Sequence, residues 1–558
     1  MKTTYKYDHY WKYEELKQSL QNLQKSYPSL CSIETICVTE ESRCLFAVTL
    51  TNTKTGSASS KPAFYIDANT HAGEVTGSMA ALHAIDYLLT SYGIEESVTK
   101  LLDQETVYVI PRISPDGAEK YLTTPYILRS ADRVYNEVKG GIKDEDLDQD
   151  GVIRMMRIPT PYGAWKKDGC SMILRQPDDM EGDYFDIFPE GYLEDYDGSE
   201  NLKHAKPAWG LDFNRNYPFG WFPDSRQPGA GKYPLSNPEN KAVVDFVLAH
   251  PNICGVSTNH TSGGVILYPP GTKAASSAPK HDIDTFIAIG NMAKKEMGYE
   301  PINIFDSFMD DQINYDSGAF DDWCYQTQGI PAFTVELWDL ANRAGVPITW
   351  NMHRSEEPTT AMKRFNACMD WVKKNAPQYW LDWTPFHHPQ FGDVELGGFN
   401  IKYTMQNPPE NFLLQECEKM TKFMVRFAKT VPHLSIDSIA CAKESAGIYQ
   451  ITATVGNLGY LPTCLSDEAV TLHVNHPVTV TLQGADPISG KTVETVGDLS
   501  GYSRTATDTH YYGNITTKYS APAKKKLTWI VKANPGDTIT VSAAQEKAGT
   551  AVSSITIK

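Results

Sequence analysis

Three short stretches, far apart in the chain, carry the residue types of a hydrolytic metal site. They are Thr70-His71-Ala72-Gly73-Glu74, Asn259-His260-Thr261 and Phe333-Thr334-Val335-Glu336-Leu337. The first supplies an imidazole and a carboxylate three positions apart, and the second another imidazole. Two His and one Glu leave one position open on a tetrahedral zinc, which is what a hydrolytic zinc needs. Glu336 is then free to act as a base. Its neighbours Phe333, Val335 and Leu337 are apolar and give a charge no structural reason to be there.

The elements around these residues can position them. Leu16, Leu20, Leu23 and Tyr27 recur at helical spacing before Pro28. Lys61 to Ala68 reads as a strand and Glu74 to Leu89 as a helix, so His71 and Glu74 fall where one gives way to the other. Thr106 to Ile113, Gly255 to His260 and Ala332 to Leu337 are further strands, and Asn237-Pro238-Glu239 starts a helix. Strands alternating with helices predict an α/β fold with a mixed, mostly parallel central sheet covered on both faces. Such sheets place ligands at the carboxyl ends of their strands, where these residues lie.

At this point the chain resembles the zinc carboxypeptidase family, of the carboxypeptidase A and B type. His71-Ala-Gly-Glu74 matches its His-x-x-Glu, and Ser114-Pro-Asp-Gly117 its Asn-Pro-Asp-Gly turn with Ser for Asn. Asp212-Phe-Asn214-Arg215-Asn216-Tyr217 matches a further segment. His260 precedes Tyr268-Pro269 by eight positions, Tyr315 precedes Asp321-Asp322-Trp323, and Trp323 stands thirteen before Glu336. Six ordered segments are far more specific than one His-x-x-Glu.

The resemblance implies His71, Glu74 and His260 as zinc ligands and Glu336 as the general base. It implies Asn214 and Arg215 as the binders of a substrate's terminal carboxylate, which the planar fork of Arg suits. Tyr315 stands where the family has a mobile tyrosine that closes over the substrate. Arg129, twelve positions after Gly117, is in register to polarise the scissile carbonyl, with Arg157 as the alternative. Asp321 occupies the side-chain pocket position, where an acid resembles members that prefer C-terminal Lys or Arg. One residue is missing between Tyr315 and Trp323, so this pocket loop could be shifted, and Asp321-Asp322 also reads as a helix N-cap pair. Gly73 replaces an arginine that helps digestive members bind longer peptides.

At 558 residues the chain exceeds one typical domain. Its 41% hydrophobic and 11% aromatic content fits sizeable cores, and no apolar run reaches the length of a membrane span. A net charge of −17 argues against nucleic acid as a partner. No signal peptide is visible at the amino end, which reads as cytoplasmic as it stands and as secreted if a leader has been removed. Cys31, Cys37 and Cys44 are close enough for a disulfide, with free thiols the equal alternative.

The expected organisation is a catalytic domain over 1–385, a connecting segment and helix over 386–432, and a domain over 433–558. The first contains an insertion at about 118–209. Within it, Asp146, Asp148 and Asp150, followed by Gly151, form the first half of an EF-hand-like loop that could hold Ca2+ or be a solvated acidic turn. The acidic, aromatic tract 178–200 reads as a loop beside the cleft. From about Leu434 the pattern alternates, as at Tyr449, Ile451, Ala453 and Val455, predicting an antiparallel, immunoglobulin-like β-sandwich. It is expected to pack on the catalytic domain or to bind a partner that the sequence does not name, with carbohydrate binding the weaker alternative.

These signals predict a zinc exopeptidase acting on a peptide with a free C-terminal carboxylate. The alternative in the same fold is an amidase acting on peptidoglycan stem peptides or N-acyl amino acids. A catalytically silent binding protein is the alternative from another class, although Glu336 and all three ligands are retained.

Overall fold

The computed structural model describes all residues except 132, 134–139, 170, 195–201, 206–209, 310, 351–355, 510–514 and 520. An eight-stranded mixed sheet organises the first part of the chain. Its order is Cys31–Val38, Cys44–Leu50, Thr106–Ile110, Ala63–Ala68, Ile253–Thr261, Ala332–Leu337, Val265–Tyr268 and Glu300–Asn303. The four strands from Thr106–Ile110 to Ala332–Leu337 run parallel, and the outer pairs on either side introduce antiparallel joins. The central strands are buried along their whole length, which accounts for their nearly continuous apolar sequences.

The helix Val75–Ser91 is buried at every position, between the sheet and the long helix Glu410–Ala428. It lies so close to the His260 strand that a Cβ on Gly77 would come within 2.6 Å of the Asn259 carbonyl oxygen. Only glycine permits that approach, and it brings the helix's first turn up against His260. The helices Pro238–Ala249 and Phe320–Gln328 cover other parts of the sheet.

The insertion does not stay by itself. Its strands Met155–Pro159, Trp165–Asp168, Ser171–Leu174 and Tyr184–Pro189 join a hairpin from much later in the chain, Trp380–His388 and Gly392–Phe399, in one six-stranded sheet. The boundary expected at 385/386 therefore falls inside a strand. The tract 178–200, expected to be a loop, instead contains the strands Tyr184–Pro189 and Gly191–Glu194, while 195–200 lie outside the described residues. Cross-strand pairing with distant partners, rather than its own polar composition, decides this segment's structure. Cys31, Cys37 and Cys44 are free thiols.

The C-terminal part forms two four-stranded antiparallel sheets packed face to face. The alternating side chains Tyr449, Ile451, Ala453 and Val455 point into a core with Val480, Leu482, Trp529 and Val541. This sandwich is fastened to the larger part by several buried contacts. Leu461 and Leu465 belong to the main core. The Asp282 carboxylate accepts from the backbone N–H groups of Asp467 and Glu468 at 2.7 and 2.9 Å. Lys547 extends its ammonium to the carbonyl oxygens of Pro251 and Ile253, at 2.8 and 3.2 Å, where the His260 strand begins.

Candidate metal centre

His71 and Glu74 sit on the turn between the strand Ala63–Ala68 and the helix Val75–Ser91, and His260 comes from the neighbouring strand. The three side chains are buried and converge. Glu74 reaches both imidazoles, with Oε1 2.8 Å from His71 Nδ1 and Oε2 2.8 Å from His260 Nδ1. The two Nδ1 atoms lie 3.1 Å apart.

This donor set fits a zinc ion. Asp212 Oδ1 lies 3.1 Å from His71 Nε2, so a proton held there leaves the Nδ1 lone pair free. Two such nitrogens and a carboxylate aimed at one point make a closed three-sided site with a fourth direction open. Burial opposes ionisation of Glu74, but His71 and His260 hold its carboxyl below the usual carboxylate range. Asp212 is likewise buried, yet Arg129 and His71 hold its carboxyl low. Burial disfavours the His260 imidazolium, but the Glu74 charge outweighs this and raises its pKa to about 9.

Glu336 follows from the register of the sheet, since it is the direct partner of His260 on the adjacent parallel strand. It lines a cavity of about 240 Å³ together with His71, Glu74, His260, Arg129 and Arg215. Burial and the nearby Glu74 charge push its pKa up to about 8. A cation at the triad would draw this value down.

Arg129 is brought to the cavity by backbone pairing, as Ala72 N donates to the Arg129 carbonyl at 2.6 Å. Its Nε donates to Asp212 at 2.8 Å, and Nη1 lies 3.6 Å from Glu74. Arg157, the alternative, is elsewhere. It lies in the insertion's sheet, paired with Glu395 and set 4.3 Å over the Trp383 ring. The insertion's strand Met155–Pro159 pairs with Gly392–Phe399, and it carries Arg157 into that sheet.

Asn214 and Arg215 line the same cavity. The Asn214 side-chain oxygen accepts from Phe320 N, and Arg215 pairs with the half-exposed Asp316 at 2.8 Å. Asp321 is buried against Thr334, which donates to it at 2.6 Å. Asp322, which sequence reasoning read only as a cap, is also buried in the cavity wall. Burial and then Asp321 raise its pKa to about 7. Tyr315 packs on Phe222, centroids 5.5 Å apart, and is not among the residues lining the cavity.

The acidic loop gathers a different trio from the one expected. Asp146 and Asp148 converge with Glu190. Asp150 turns instead to Arg154 at 2.7 Å. Glu190 accepts from the N–H groups of Leu147, Asp148 and Arg154, so a distant strand end completes the loop.

Residues 16–361 match the zinc carboxypeptidase family, Peptidase_M14. That is more than half of the chain, and the protein belongs to this family. Residues 433–556 match a domain of unknown function, DUF8731. The chain is 21% identical to carboxypeptidase A2 of Rattus norvegicus over 343 residues, 60% of this chain and 64% of that protein. It thus spans under two thirds of that curated relative. It is 29% identical to carboxypeptidase M of Mus musculus over 106 residues, 19% of this chain and 24% of that protein. Among solved structures it resembles carboxypeptidase A from Helicoverpa armigera, with 18% identity and a TM-score of 0.39 over 67% of this chain and 76% of that one.

Proposed function

We propose that this protein is a zinc-dependent carboxypeptidase that hydrolyses the C-terminal peptide bond of a peptide. The observation carrying this reading is the convergence of His71, Glu74, His260, Glu336, Arg129, Asn214 and Arg215 on one cavity. Zinc, when bound, supplies Lewis-acid polarisation and an acidified water. His71, Glu74 and His260 would hold it. Glu336 takes the proton of the attacking water and passes it to the leaving amine, work suited to a carboxylate in a partly dry cleft. Arg129 faces the charge that develops on the scissile carbonyl oxygen. Arg215, with Asn214 beside it, takes the substrate's terminal carboxylate in place of Asp316.

The buried acids Asp321 and Asp322 favour a cationic terminal side chain, because an acid in a dry pocket selects its counter-charge. For the acidic loop, a structural Ca2+ held by Asp146, Asp148 and Glu190 is the reading we retain.

The test is release of terminal residues from mixed synthetic peptides and, in parallel, from muropeptides, each before and after chelator treatment. Zinc-dependent release from peptides supports the reading. Release from muropeptides alone favours the amidase. Absence of hydrolysis in both, or hydrolysis indifferent to chelator, overturns it.

A further inference from the structure

We propose that Asn407 is a positioning residue for the metal centre, acting as an N-terminal cap supplied from a distant segment of the same chain to the helix Val75–Ser91. The inference rests on the reading of His71, Glu74 and His260 as metal ligands. The first N–H groups of a helix have no partner within it and need an acceptor from elsewhere. Here the residue at the cap position is Glu74, whose side chain makes no capping bond. Its carboxylate is turned to His71 and His260 instead. A ligand at this position cannot also cap.

Asn407 fills the vacancy from 333 residues away in sequence. Its side-chain oxygen accepts from Thr76 N at 3.0 Å and from Thr76 Oγ1 at 2.8 Å. Its amide nitrogen donates to the carbonyl oxygens of Gly73 and Lys402, at 2.7 and 3.0 Å. A backbone donor on one side and carbonyl acceptors on the other fix the amide's orientation. The side chain is fully buried, with a relative exposure of 0%. It therefore grips the turn immediately before Glu74 and again two residues after it.

The segment that carries Asn407 is itself anchored. Lys402 donates from Nζ to the Tyr121 and Thr124 carbonyl oxygens at 2.7 and 2.6 Å, closing the end of the helix Pro115–Thr123. Gln406 lies over Gly73 so closely that a Cβ there would stand 2.6 Å from its amide nitrogen. A Cβ at position 73 would also meet the Tyr121 ring at 2.7 Å, so a larger residue there would compete with this clasp for space. Asn407 lies beyond residues 16–361, the part that matches the family.

The experiment compares full-length wild type with Asn407→Ala, Thr76→Val and Thr421→Val. Thr421→Val removes a 2.7 Å contact to His83 on the same helix, remote from the metal turn. The readouts are the zinc dissociation constant, by competition with a fluorescent chelator, and the melting temperature of each metal-stripped protein. Asn407→Ala should weaken zinc by about tenfold or more, as loss of a residue supporting a ligand does. Thr76→Val should weaken it less, in the same direction, and Thr421→Val should cost stability without loss of zinc affinity. Wild-type zinc affinity in Asn407→Ala overturns the proposal, as does an equal loss in Thr421→Val. If Asn407→Ala does not fold, Thr76→Val decides, and unchanged zinc affinity there overturns it. A wild type that binds no zinc overturns the metal reading, and this proposal with it.

Discussion

His260 and Glu336 are register partners on adjacent parallel strands, so both side chains leave the same face of the sheet. Neighbouring strands are spaced about 4.8 Å apart by their hydrogen bonds, and that spacing brings Glu336 alongside His260. No loop has to hold Glu336 in place. The backbone ladder positions it.

Glu336→Gln keeps the shape of the side chain and removes its basicity. It should lower kcat on a peptide substrate by about 10²–10⁴-fold, the range for loss of a general base. Zinc content, measured by metal analysis, should stay at the wild-type level. Retention of activity with intact zinc would show that the proton goes elsewhere.

The metal-stripped protein should lose thermal stability as pH rises. Glu336 has its carboxyl raised to about 8 from an ordinary 4.5, so the folded state holds a proton the unfolded state has already lost. Stability declines through that interval. His260, raised to about 9 from 6.5, contributes stability that is complete below 6.5 and lost as pH passes 9. The melting temperature after chelation should therefore fall between about pH 5 and 9, and Glu336→Gln should flatten the lower part of the decline. A flat profile in both proteins would contradict this.

Asp321→Asn should cost the cleavage of substrates ending in Lys or Arg at least about 30-fold in kcat/KM, the scale of removing one partner of a buried charge pair. Substrates ending in Leu or Phe should be little affected. Parallel rates on a matched peptide series measure the difference. Equal losses on all substrates would make Asp321 a scaffold residue rather than a selector.

Calcium should raise the melting temperature, and the gain should vanish in Asp148→Asn. Glu190 has its carboxyl pushed up to about 7 by burial, so the cation competes with a proton there. The calcium-dependent shift should accordingly be larger at pH 8 than at pH 6. A melting temperature indifferent to millimolar calcium would leave the loop as an acidic turn closed by Arg154.

The sequence made the central site legible because its residues mark the ends of elements with strong local signals. Ala332–Leu337 is an apolar strand with a single acid, and His71 and Glu74 flank a strand-to-helix change. The alternation from Tyr449 to Val455 likewise announces an antiparallel sheet. What was not legible depends on partners hundreds of residues apart. The insertion's sheet is completed by the hairpin Trp380–Phe399, and this pairing is what withdraws Arg157 from the cleft. Glu190 displaces Asp150 from the acidic trio for the same reason, since its position comes from another strand's end. Asn407 gives no local sign at all: an asparagine before two prolines reads as a turn.

Lys547 ties the β-sandwich to the sheet that carries His260. The strand presenting His260 starts from carbonyls to which this amine donates, so the sandwich finishes the bottom of the sheet whose top bears the candidate metal ligands. Cutting the sandwich away would strip those oxygens of their donor and bare Leu461 and Leu465's share of the main interior. The C-terminal sandwich is built as a foundation course of the larger body rather than as an exchangeable cassette.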